Sequence, residues 1–586
     1  MHILVRHLRL SACLILATYT AARPALQVPL RPAGMEPDGA EVLTARMDRV
    51  IEGILRDFNT PGGAGVAVVH QTRDGEWVME SKGYGNATAS GDRATGDTLF
   101  AIGSNSKLFD VVATGLLVSN ESLTPRISWD TKIASMIPEW KLMDPVASSE
   151  STIVDIMSHR TGLPRHDLAF PLYTPVLDVI KRLRYLRPSA GFRETAQYNN
   201  LMYTTLSHLP VALTGTPFEE YVAANIFGPL GMADTTYFYN ETLKQGRLLA
   251  DGFLRDGANV SRDPFDQGSV KTFQFWDQYS YGISGAGGVI STPRDVATWL
   301  RALLEDGKNR DNESVIPPEV LQKVASGVTV LTPVARFPEL SPIVYGGGQM
   351  RGTYRGVEMI EHGGSTPGFK SQIARFPSKN LGVAVLINEE DLGVSIMETI
   401  KYRIVDEYLA LEPVDWLGRY RSAVEASIPP PKQPRSENAT VPSEPFSSFA
   451  GKYRNPAYGD IDFCLILNGT TTGASCSEIS ERLLAKFPKT VQADVPTLIA
   501  EWDTMVTQFM LLEHYDAGVW NMTGLGVQST GSEPWSFKME GFVAEFDGPR
   551  GFSPTEVFWG AGAGVEPPKG DTVEERAEAW FEKVGV

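Results

Sequence analysis

The stretch of sequence from Leu99 to Lys107 reads LFAIGSNSK, and an apolar helical pattern continues from it to about residue 118. Ser104 and Lys107 are three positions apart, so a helix would place both side chains on one face, one turn apart. Burial lowers the pKa of a lysine, and a neutral lysine can accept the serine proton. The pair therefore predicts a serine nucleophile with a lysine partner. Because Ser-x-x-Lys is common by chance, this prediction depends on other segments of the chain.

Two later segments carry side chains that a serine nucleophile would need. Tyr198 and Asn200 follow a loop that contains glycine, where a phenol and an amide can face a reacting carbonyl group. His362, Gly364 and Ser365 follow a strand-like run, and glycines let a substrate backbone lie directly against a strand. Taken alone, the first segment is equally consistent with a capped loop, and the second with a glycine turn beside a surface histidine.

The pattern of apolar residues around these segments predicts an α/β fold. Amphipathic helical patterns occur at 41–58, 101–118, 295–304 and 394–409. Alternating or β-branched runs occur near both ends of this region, at 64–70, 77–81, 357–361, 371–376 and 382–387. These runs predict one antiparallel sheet that is assembled from both ends of a domain and flanked by helices, with a helical insert between the two sets of strands.

The composition changes after this region. Residues 426–446 are rich in proline and contain almost no apolar side chains, which is typical of a linker. Residues 447–586 contain short strand-like runs that alternate with turns, at 464–467, 505–512, 535–539 and 541–546. These runs predict a small all-β C-terminal domain, folded as a barrel.

Three motifs, in this order along the chain, resemble those of the serine beta-lactamase and penicillin-binding-protein-like family, the type that includes class C beta-lactamases, D-amino-acid peptidases and esterases. They are Ser104-x-x-Lys107, Tyr198-x-Asn200 and His362-x-Gly364. The segments MSHRTGLPRHD at 157–167 and GAGGVIST at 285–292 are also similar to segments that recur in the family. The resemblance covers residues 41–412 and implies a beta-lactamase/transpeptidase-like fold. The segment that begins at Phe449 resembles the lipocalin-like domain of some members.

The resemblance also implies a role for the residues of the first two motifs. Ser104 would attack an acyl carbonyl group. Lys107 and Tyr198 would form the proton-transfer network, in which either of them can be the base. Asn200 would hold the substrate amide or the lysine. The backbone N–H groups of Ser104 and Ser365 would form the oxyanion hole.

His362 and Gly364 are implied to bind the substrate, but the third motif departs from the family pattern. Members that hydrolyse penicillins carry Lys-Thr-Gly where this chain has His362, Gly363 and Gly364. The lysine and threonine of those members help to bind the penicillin carboxylate, so this departure predicts a preference for neutral acyl esters and amides. We also expect the preference to weaken below about pH 6, where a histidine of ordinary pKa gains charge.

Composition and charge limit the partners. The 586 residues are 42% hydrophobic and 21% charged, which is typical of a folded protein of two or three domains. A net charge of −17 disfavours binding to nucleic acid or to an anionic membrane, so we expect a small-molecule or peptide acyl substrate. No cofactor or metal is predicted, because no carboxylate or cysteine completes a metal site with His159 and His166 at a plausible spacing. The sequence does not indicate an oligomeric state.

The N-terminus is typical of a secretory signal peptide over residues 1–22. Basic residues precede an apolar run from Leu10 to Ala17, which is too short to span a bilayer, so we expect cleavage and no membrane anchor in the mature chain. Eight Asn-x-Ser/Thr sequences support secretion and predict N-glycosylation. Their asparagines are Asn86, Asn120, Asn240, Asn259, Asn312, Asn438, Asn468 and Asn521. The mature chain keeps Cys464 and Cys476, which we expect to form a disulfide in an oxidising compartment.

These patterns leave three functions open. The first is a secreted serine hydrolase that cleaves an ester or amide through an acyl-enzyme on Ser104. The second is an acyltransferase of the same mechanism that acts on a secondary metabolite. The third is an inactive ligand-binding protein whose barrel is the functional part. The presence of all the motif residues favours the hydrolase.

Overall fold

The structure, a computed structural model, describes most of the chain from residue 41 onward. The described residues are 41–169, 174–273, 282–428, 435–436, 438–468, 470–472, 476–487, 490–492, 494–502, 504, 507–528, 535–555 and 568–585. The predicted signal peptide and part of the predicted linker lie outside them. Within these ranges, no helix combines the length and the apolar character that crossing a membrane requires.

The chain up to residue 426 contains both helices and strands. The helices are α1 Ala45–Asp57, α2 Ser106–Ser119, α3 Ile133–Met136, α4 Pro145–Glu150, α5 Ile153–Met157, α6 Val176–Arg182, α7 Asn200–Leu206, α8 Leu209–Thr214, α9 Phe218–Val222, α10 Gly228–Leu230, α11 Tyr239–Lys244, α12 Ser284–Gly287, α13 Pro293–Leu304, α14 Pro318–Ala325, α15 Gly393–Tyr408 and α16 Trp416–Ala426. The strands are β1 Gly63–Gln71, β2 Trp77–Gly85, β3 Phe100–Ala101, β4 Gly252–Asp256, β5 Ser269–Phe273, β6 Ile290–Ser291, β7 Thr329–Thr332, β8 Ile343–Tyr345, β9 Met350–Tyr354, β10 Val357–Thr366, β11 Phe369–Phe376 and β12 Leu381–Ile387.

Eight of these strands, in the described part of the chain, form one antiparallel sheet in the order β2-β1-β12-β11-β10-β9-β8-β7. β1 precedes the helical insert and β12 follows it, and the two pair with Val66 opposite Val385. The predicted sheet assembled from both ends of a domain is therefore confirmed. The strand predicted at 357–361 is longer than expected, because the pairing of β10 with β11 continues to Thr366, opposite Phe369.

Successive side chains of a strand point to opposite faces of the sheet, and in the central strands β1, β11 and β12 the side chains on both faces are buried. Val66 and Val68 pack on one face, in a cluster that includes residues of α1 and α15. Ala67 and Val69 pack on the other face, with α13 and the helical insert. Helix α2 lies inside this insert, where Val111 is fully buried. The residues that begin α2 are therefore held by packing on several sides.

The C-terminal part of the chain is a β-barrel. Its elements are β13 Gly451–Asn455, β14 Gly459–Leu467, β15 Thr470–Thr472, α17 Cys476–Lys486, β16 Thr497–Glu501, β17 Phe509–Asp516, β18 Val519–Gln528, β19 Trp535–Phe546, β20 Gly551–Thr555, α18 Val573–Arg576 and β21 Phe581–Lys583. Within the described ranges, eight strands follow one another as β13-β21-β20-β19-β18-β17-β16-β14, and the pairing of β14 with β13 closes the ring. The predicted barrel is confirmed, although the runs at 535–539 and 541–546 form one strand, β19, instead of two.

Aromatic side chains fill the inside of the barrel. Tyr453, Phe463, Phe546, Phe552 and Phe581 come from five different strands, and each is at most 4% exposed. The ring centroids of Phe546 and Phe552 are 5.0 Å apart, and those of Phe552 and Phe581 are 4.8 Å apart. These rings occupy the space that a ligand inside the barrel would need, which weighs against the barrel as a ligand-binding unit.

The predicted disulfide between Cys464 and Cys476 is present, with their Cα atoms 5.3 Å apart. It joins β14 to α17, a helix that the sequence analysis did not predict. α17 covers the outer face of the barrel through Ile479 and Leu483, which pack in one cluster with Leu511. In the chain-entropy account, a disulfide that closes so short a loop stabilises the folded state by about 3 kcal/mol.

Candidate active site

Ser104 lies in a single 3-10 turn, Gly103–Asn105, immediately before α2. Gly103 has a φ angle of +51°, a left-handed conformation that favours glycine. A Cβ atom on Gly103 would lie 2.8 Å from the backbone nitrogen of Ser365, so the glycine also lets the turn lie directly against β10. Ser104 itself is partly exposed, and its hydroxyl is therefore open to a substrate.

Lys107 is completely buried in the first turn of α2. Its Nζ lies 3.2 Å from Ser104 Oγ, 2.7 Å from Asn200 Oδ1 and 2.7 Å from the carbonyl oxygen of Ala286. Burial lowers the pKa of Lys107 well below its ordinary value, and the positive charge of Arg165 lowers it further. A neutral lysine keeps two N–H donors, which match the two carbonyl oxygens. Its lone pair is then left for the hydroxyl of Ser104.

Tyr198 lies beside this lysine. Lys107 Nζ is 4.9 Å from the centre of the Tyr198 ring. The ring of His159 packs against the ring of Tyr198, with 4.4 Å between their centroids. Burial raises the pKa of Tyr198 above its ordinary value. The shifts at Tyr198 and Lys107 have opposite directions, and both favour the uncharged form of the group.

A chain of hydrogen bonds continues from Lys107 to two charged residues. Asn200 Nδ2 donates to Asp167 Oδ1 at 3.0 Å, and Arg165 Nε donates to Asp167 Oδ2 at 2.7 Å. The guanidinium group of Arg165 lies 5.3 Å from the centre of the Tyr198 ring. Because an ionised carboxylate only accepts, the amide of Asn200 must turn its oxygen towards Lys107. Sequence reasoning missed Arg165 and Asp167 as site residues, although both lie in a segment whose family resemblance was noted.

His362 lies on β10 close to the same group and is 4% exposed. Its Nδ1 is 2.6 Å from the carbonyl oxygen of Gly363, and its Nε2 is 3.0 Å from the hydroxyl of Tyr345. Since a carbonyl oxygen only accepts, Nδ1 carries the proton and Nε2 accepts from Tyr345. Burial is the main cause that lowers the pKa of His362 to about 3. The expectation that this histidine gains charge near pH 6 is therefore wrong.

Gly364 and Ser365 bring β10 against the turn that carries Ser104. A Cβ atom on Gly364 would lie 1.9 Å from the carbonyl oxygen of Ile102, so only glycine allows this approach. Gly364 is buried there, whereas Ser365 is exposed. The structure thus brings the predicted site residues into one cluster: Ser104, Lys107, Tyr198, Asn200, His362, Gly364 and Ser365.

Metal-ligating side chains are not grouped in the same way. In the parts of the chain that the structure describes, no set of three or more His, Cys, Asp or Glu side chains is arranged to hold a metal ion. His159 instead packs among tyrosines, and its Nδ1 accepts from the backbone N–H of Asn199 at 3.1 Å.

A serine beside a buried lysine, placed at the start of a helix within the helical insert of an antiparallel sheet, defines the class of penicillin-binding and beta-lactamase-type serine hydrolases. The chain matches the beta-lactamase family over residues 47–402 and belongs to that family. It is 30% identical over 449 residues to an unguisins hydrolase from Aspergillus campestris, covering 72% of this chain and 77% of that protein. It is 28% identical over 465 residues to one from Aspergillus violaceofuscus, covering 74% and 78%.

One solved structure resembles this chain over both of its parts. The octameric penicillin-binding protein homologue from Pyrococcus abyssi superposes with a TM-score of 0.52 at 19% identity, over 88% of this chain and 98% of that chain. At this identity the likeness shows the fold alone.

Proposed function

We propose that this protein is a secreted hydrolase that cleaves an ester or amide bond of a small molecule or peptide through an acyl-enzyme on Ser104. The observation that carries the proposal is the buried amine of Lys107, 3.2 Å from Ser104 Oγ, whose two other partners are carbonyl oxygens. Membership of the beta-lactamase family supports the same chemistry.

In the first step, Ser104 Oγ attacks the carbonyl carbon of the substrate, and its proton passes to Lys107 Nζ. The lysine becomes an ammonium ion whose hydrogens face Ser104 Oγ, Asn200 Oδ1 and the carbonyl oxygen of Ala286. The substrate oxygen becomes an oxyanion, which the backbone N–H groups of Ser104 and Ser365 stabilise.

In the second step, the leaving group takes a proton from the phenol of Tyr198, and Tyr198 recovers a proton from Lys107. The raised pKa of Tyr198 keeps this phenol protonated until the leaving group needs it. Water then attacks the acyl-enzyme, and the same groups act in reverse until Ser104 regains its proton. Lys107 is therefore the base of acylation and Tyr198 the acid, an assignment that the sequence left open.

The neutral His362 determines which substrates fit best. Without a cation on β10 at this position, an anionic group of the substrate gains no charge-assisted hydrogen bond there. Neutral esters and amides lose nothing by comparison. Because two relatives are named unguisins hydrolases, unguisins are the first compounds to test as natural substrates.

The secretory route is supported by the Cys464–Cys476 disulfide, since structural disulfides persist in oxidising compartments. The side chains at four of the predicted glycosylation sites are exposed, namely Asn259, Asn312, Asn438 and Asn468. Those of Asn86, Asn120 and Asn521 are half-buried, and Asn240 lies in α11. The signal peptide at 1–22 and the bounds 41–412, 426–446 and 447–586 stay predictions. N-terminal sequencing of the secreted protein, and its mass before and after enzymatic deglycosylation, test the route.

Ser104→Ala tests the catalytic proposal. Loss of the nucleophile costs a serine hydrolase up to about a millionfold in kcat, so hydrolysis of p-nitrophenyl butyrate and covalent labelling by a fluorophosphonate should both disappear. Ser149→Ala, which changes an exposed serine of α4, is the matched control and should keep both activities. Activity of Ser104→Ala within about tenfold of the wild type would overturn the proposal.

A further inference from the structure

The turn between β13 and β14 of the barrel packs against the chain segment that forms one side of the active site. Tyr458, in this turn, is 6% exposed, and its hydroxyl lies 2.6 Å from Nδ1 of His166. His166 Nε2 lies 2.9 Å from the carbonyl oxygen of Arg187. Because the carbonyl only accepts, Nε2 carries the proton, and Nδ1 accepts from the Tyr458 hydroxyl. The barrel therefore donates a hydrogen bond to a buried histidine of the catalytic part.

Hydrogen bonds from two arginines hold a neighbouring segment, residues 182–187, on the C-terminal part of the chain. Arg187 Nη1 donates to the carbonyl oxygens of Glu575 and Ala577, at 2.8 and 2.9 Å. Arg182 Nη1 donates to the carbonyl oxygen of Ala457 at 3.2 Å. The segment is thus fixed to the barrel at two places that are far apart in sequence.

His166 adopts a left-handed backbone conformation, with a φ angle of +46°. A residue with a side chain is strained there, and it persists only where surrounding contacts fix it. The bonds of the imidazole to Tyr458 and to the Arg187 carbonyl are contacts of this kind. This backbone conformation sets the directions of the neighbouring side chains, Arg165 and Asp167.

From Asp167 a continuous series of short contacts reaches the nucleophile. Asn200 Nδ2 donates to Asp167 at 3.0 Å, Lys107 Nζ lies 2.7 Å from Asn200 Oδ1, and Ser104 Oγ lies 3.2 Å from Lys107 Nζ. A change in the position of Asp167 would therefore move the amide that orients the lysine.

We propose that Tyr458 is a positioning residue: through its hydrogen bond to His166, the barrel holds Asp167 where it orients Asn200 and Lys107 for proton transfer. This inference rests on the proposed function, because it needs Lys107 to act on Ser104. It gives the barrel a task that involves no ligand inside it.

The full-length variant Tyr458→Phe tests the inference, with Tyr453→Phe as the matched control. Both changes remove one buried phenol hydroxyl of the barrel, since the Tyr453 hydroxyl donates to the carbonyl oxygen of Phe449 at 3.0 Å. With p-nitrophenyl butyrate, Tyr458→Phe should lower kcat by about tenfold to a hundredfold and change KM little, because small misplacements of catalytic groups have effects of this size. The pH at which kcat of Tyr458→Phe falls on the acid side of its pH profile should also shift. Tyr453→Phe should keep the kcat and the pH profile of the wild type.

Equal kcat values and pH profiles for Tyr458→Phe and Tyr453→Phe would overturn the inference while leaving a Ser104-dependent enzyme, and so the proposed function, intact. If Ser104→Ala were as active as the wild type, both the inference and the proposed function would be overturned. If Tyr458→Phe does not fold, His166→Asn and His166→Leu replace it, because asparagine keeps an acceptor and leucine does not. The inference then requires a higher kcat for His166→Asn than for His166→Leu, and equal values would contradict it.

Discussion

Lys107 and Lys401 are both completely buried, yet their pKa values shift in opposite directions. Burial lowers the pKa of Lys107, whose partners are a hydroxyl and two carbonyl oxygens. Burial also acts to lower the pKa of Lys401, but the carboxylates of Glu361 and Glu398, at 2.8 and 2.9 Å, outweigh it and raise the pKa. The neighbours of a buried lysine therefore decide its charge.

One strand serves both sites. Glu361 and His362 are consecutive residues of β10, so their side chains point to opposite faces of the sheet. Glu361 binds Lys401 on the face that α15 covers, and His362 lies near Lys107 on the other face. The sheet thus separates two clusters. In one, the charges of Lys401, Glu361 and Glu398 stabilise the fold. In the other, the uncharged Lys107 can exchange a proton with Ser104.

The largest effect that this comparison predicts is on Lys107→Met. Removal of a general base lowers kcat/KM by about a hundredfold to ten-thousandfold, and labelling by a fluorophosphonate should slow in parallel. The free energy of unfolding should change little, because losing the hydrogen bonds to Asn200 and Ala286 is opposed by ending the cost of burying an amine. Steady-state kinetics and urea unfolding measure both quantities. Activity within about tenfold of the wild type would mean that Tyr198 alone is the base.

Lys401→Met should have the reverse effect. Removing the cation leaves the carboxylates of Glu361 and Glu398 buried without the ammonium group that neutralises them, which lowers the free energy of unfolding by about 3 to 5 kcal/mol. The kcat of the folded fraction should stay at the wild-type value. A triple variant that also carries Glu361→Gln and Glu398→Gln should recover part of the loss in urea unfolding. If Lys401→Met alone were as stable as the wild type, the contrast between the two lysines would be contradicted. The ion pairs of Lys401 would then not stabilise the fold.

The smallest effect concerns His362, which resembles Lys107 in that none of its hydrogen bonds among the described residues is to a carboxylate. At pH 7 we expect kcat/KM for p-nitrophenyl butyrate to exceed that for benzylpenicillin by about tenfold to a hundredfold, the value of one lost charge-assisted hydrogen bond. A pKa of about 3 keeps His362 neutral above that pH and charged only below it. The ratio should therefore stay constant between about pH 8 and pH 5. A ratio that narrows near pH 6 would show a histidine of ordinary pKa.

The sequence predicted that Ser104, Lys107, Tyr198 and Asn200 belong to one site because their motifs have fixed local spacings, and it predicted the sheet because strand patterns are local as well. It did not identify Asp167 as a partner of Asn200, or Tyr458 as a partner of His166. These contacts join residues 33 and 292 positions apart, and no spacing in the sequence signals them. The pKa of His362 was misjudged for a related reason, since it depends on a burial that only the folded chain creates.

The closure of the barrel has a consequence for the time at which the enzyme becomes active. β13 pairs with β14 beside it in sequence and also with β21, so the ring stays open until Phe581–Lys583 have been synthesised. Domains generally fold in the order in which they leave the ribosome, so the sheet that holds Ser104 can form first. Tyr458 lies between the two strands that close the ring. If Tyr458 has the proposed role, a molecule whose sheet folds first has an assembled nucleophile and an unsupported Asp167 until the last strand of the barrel has been made.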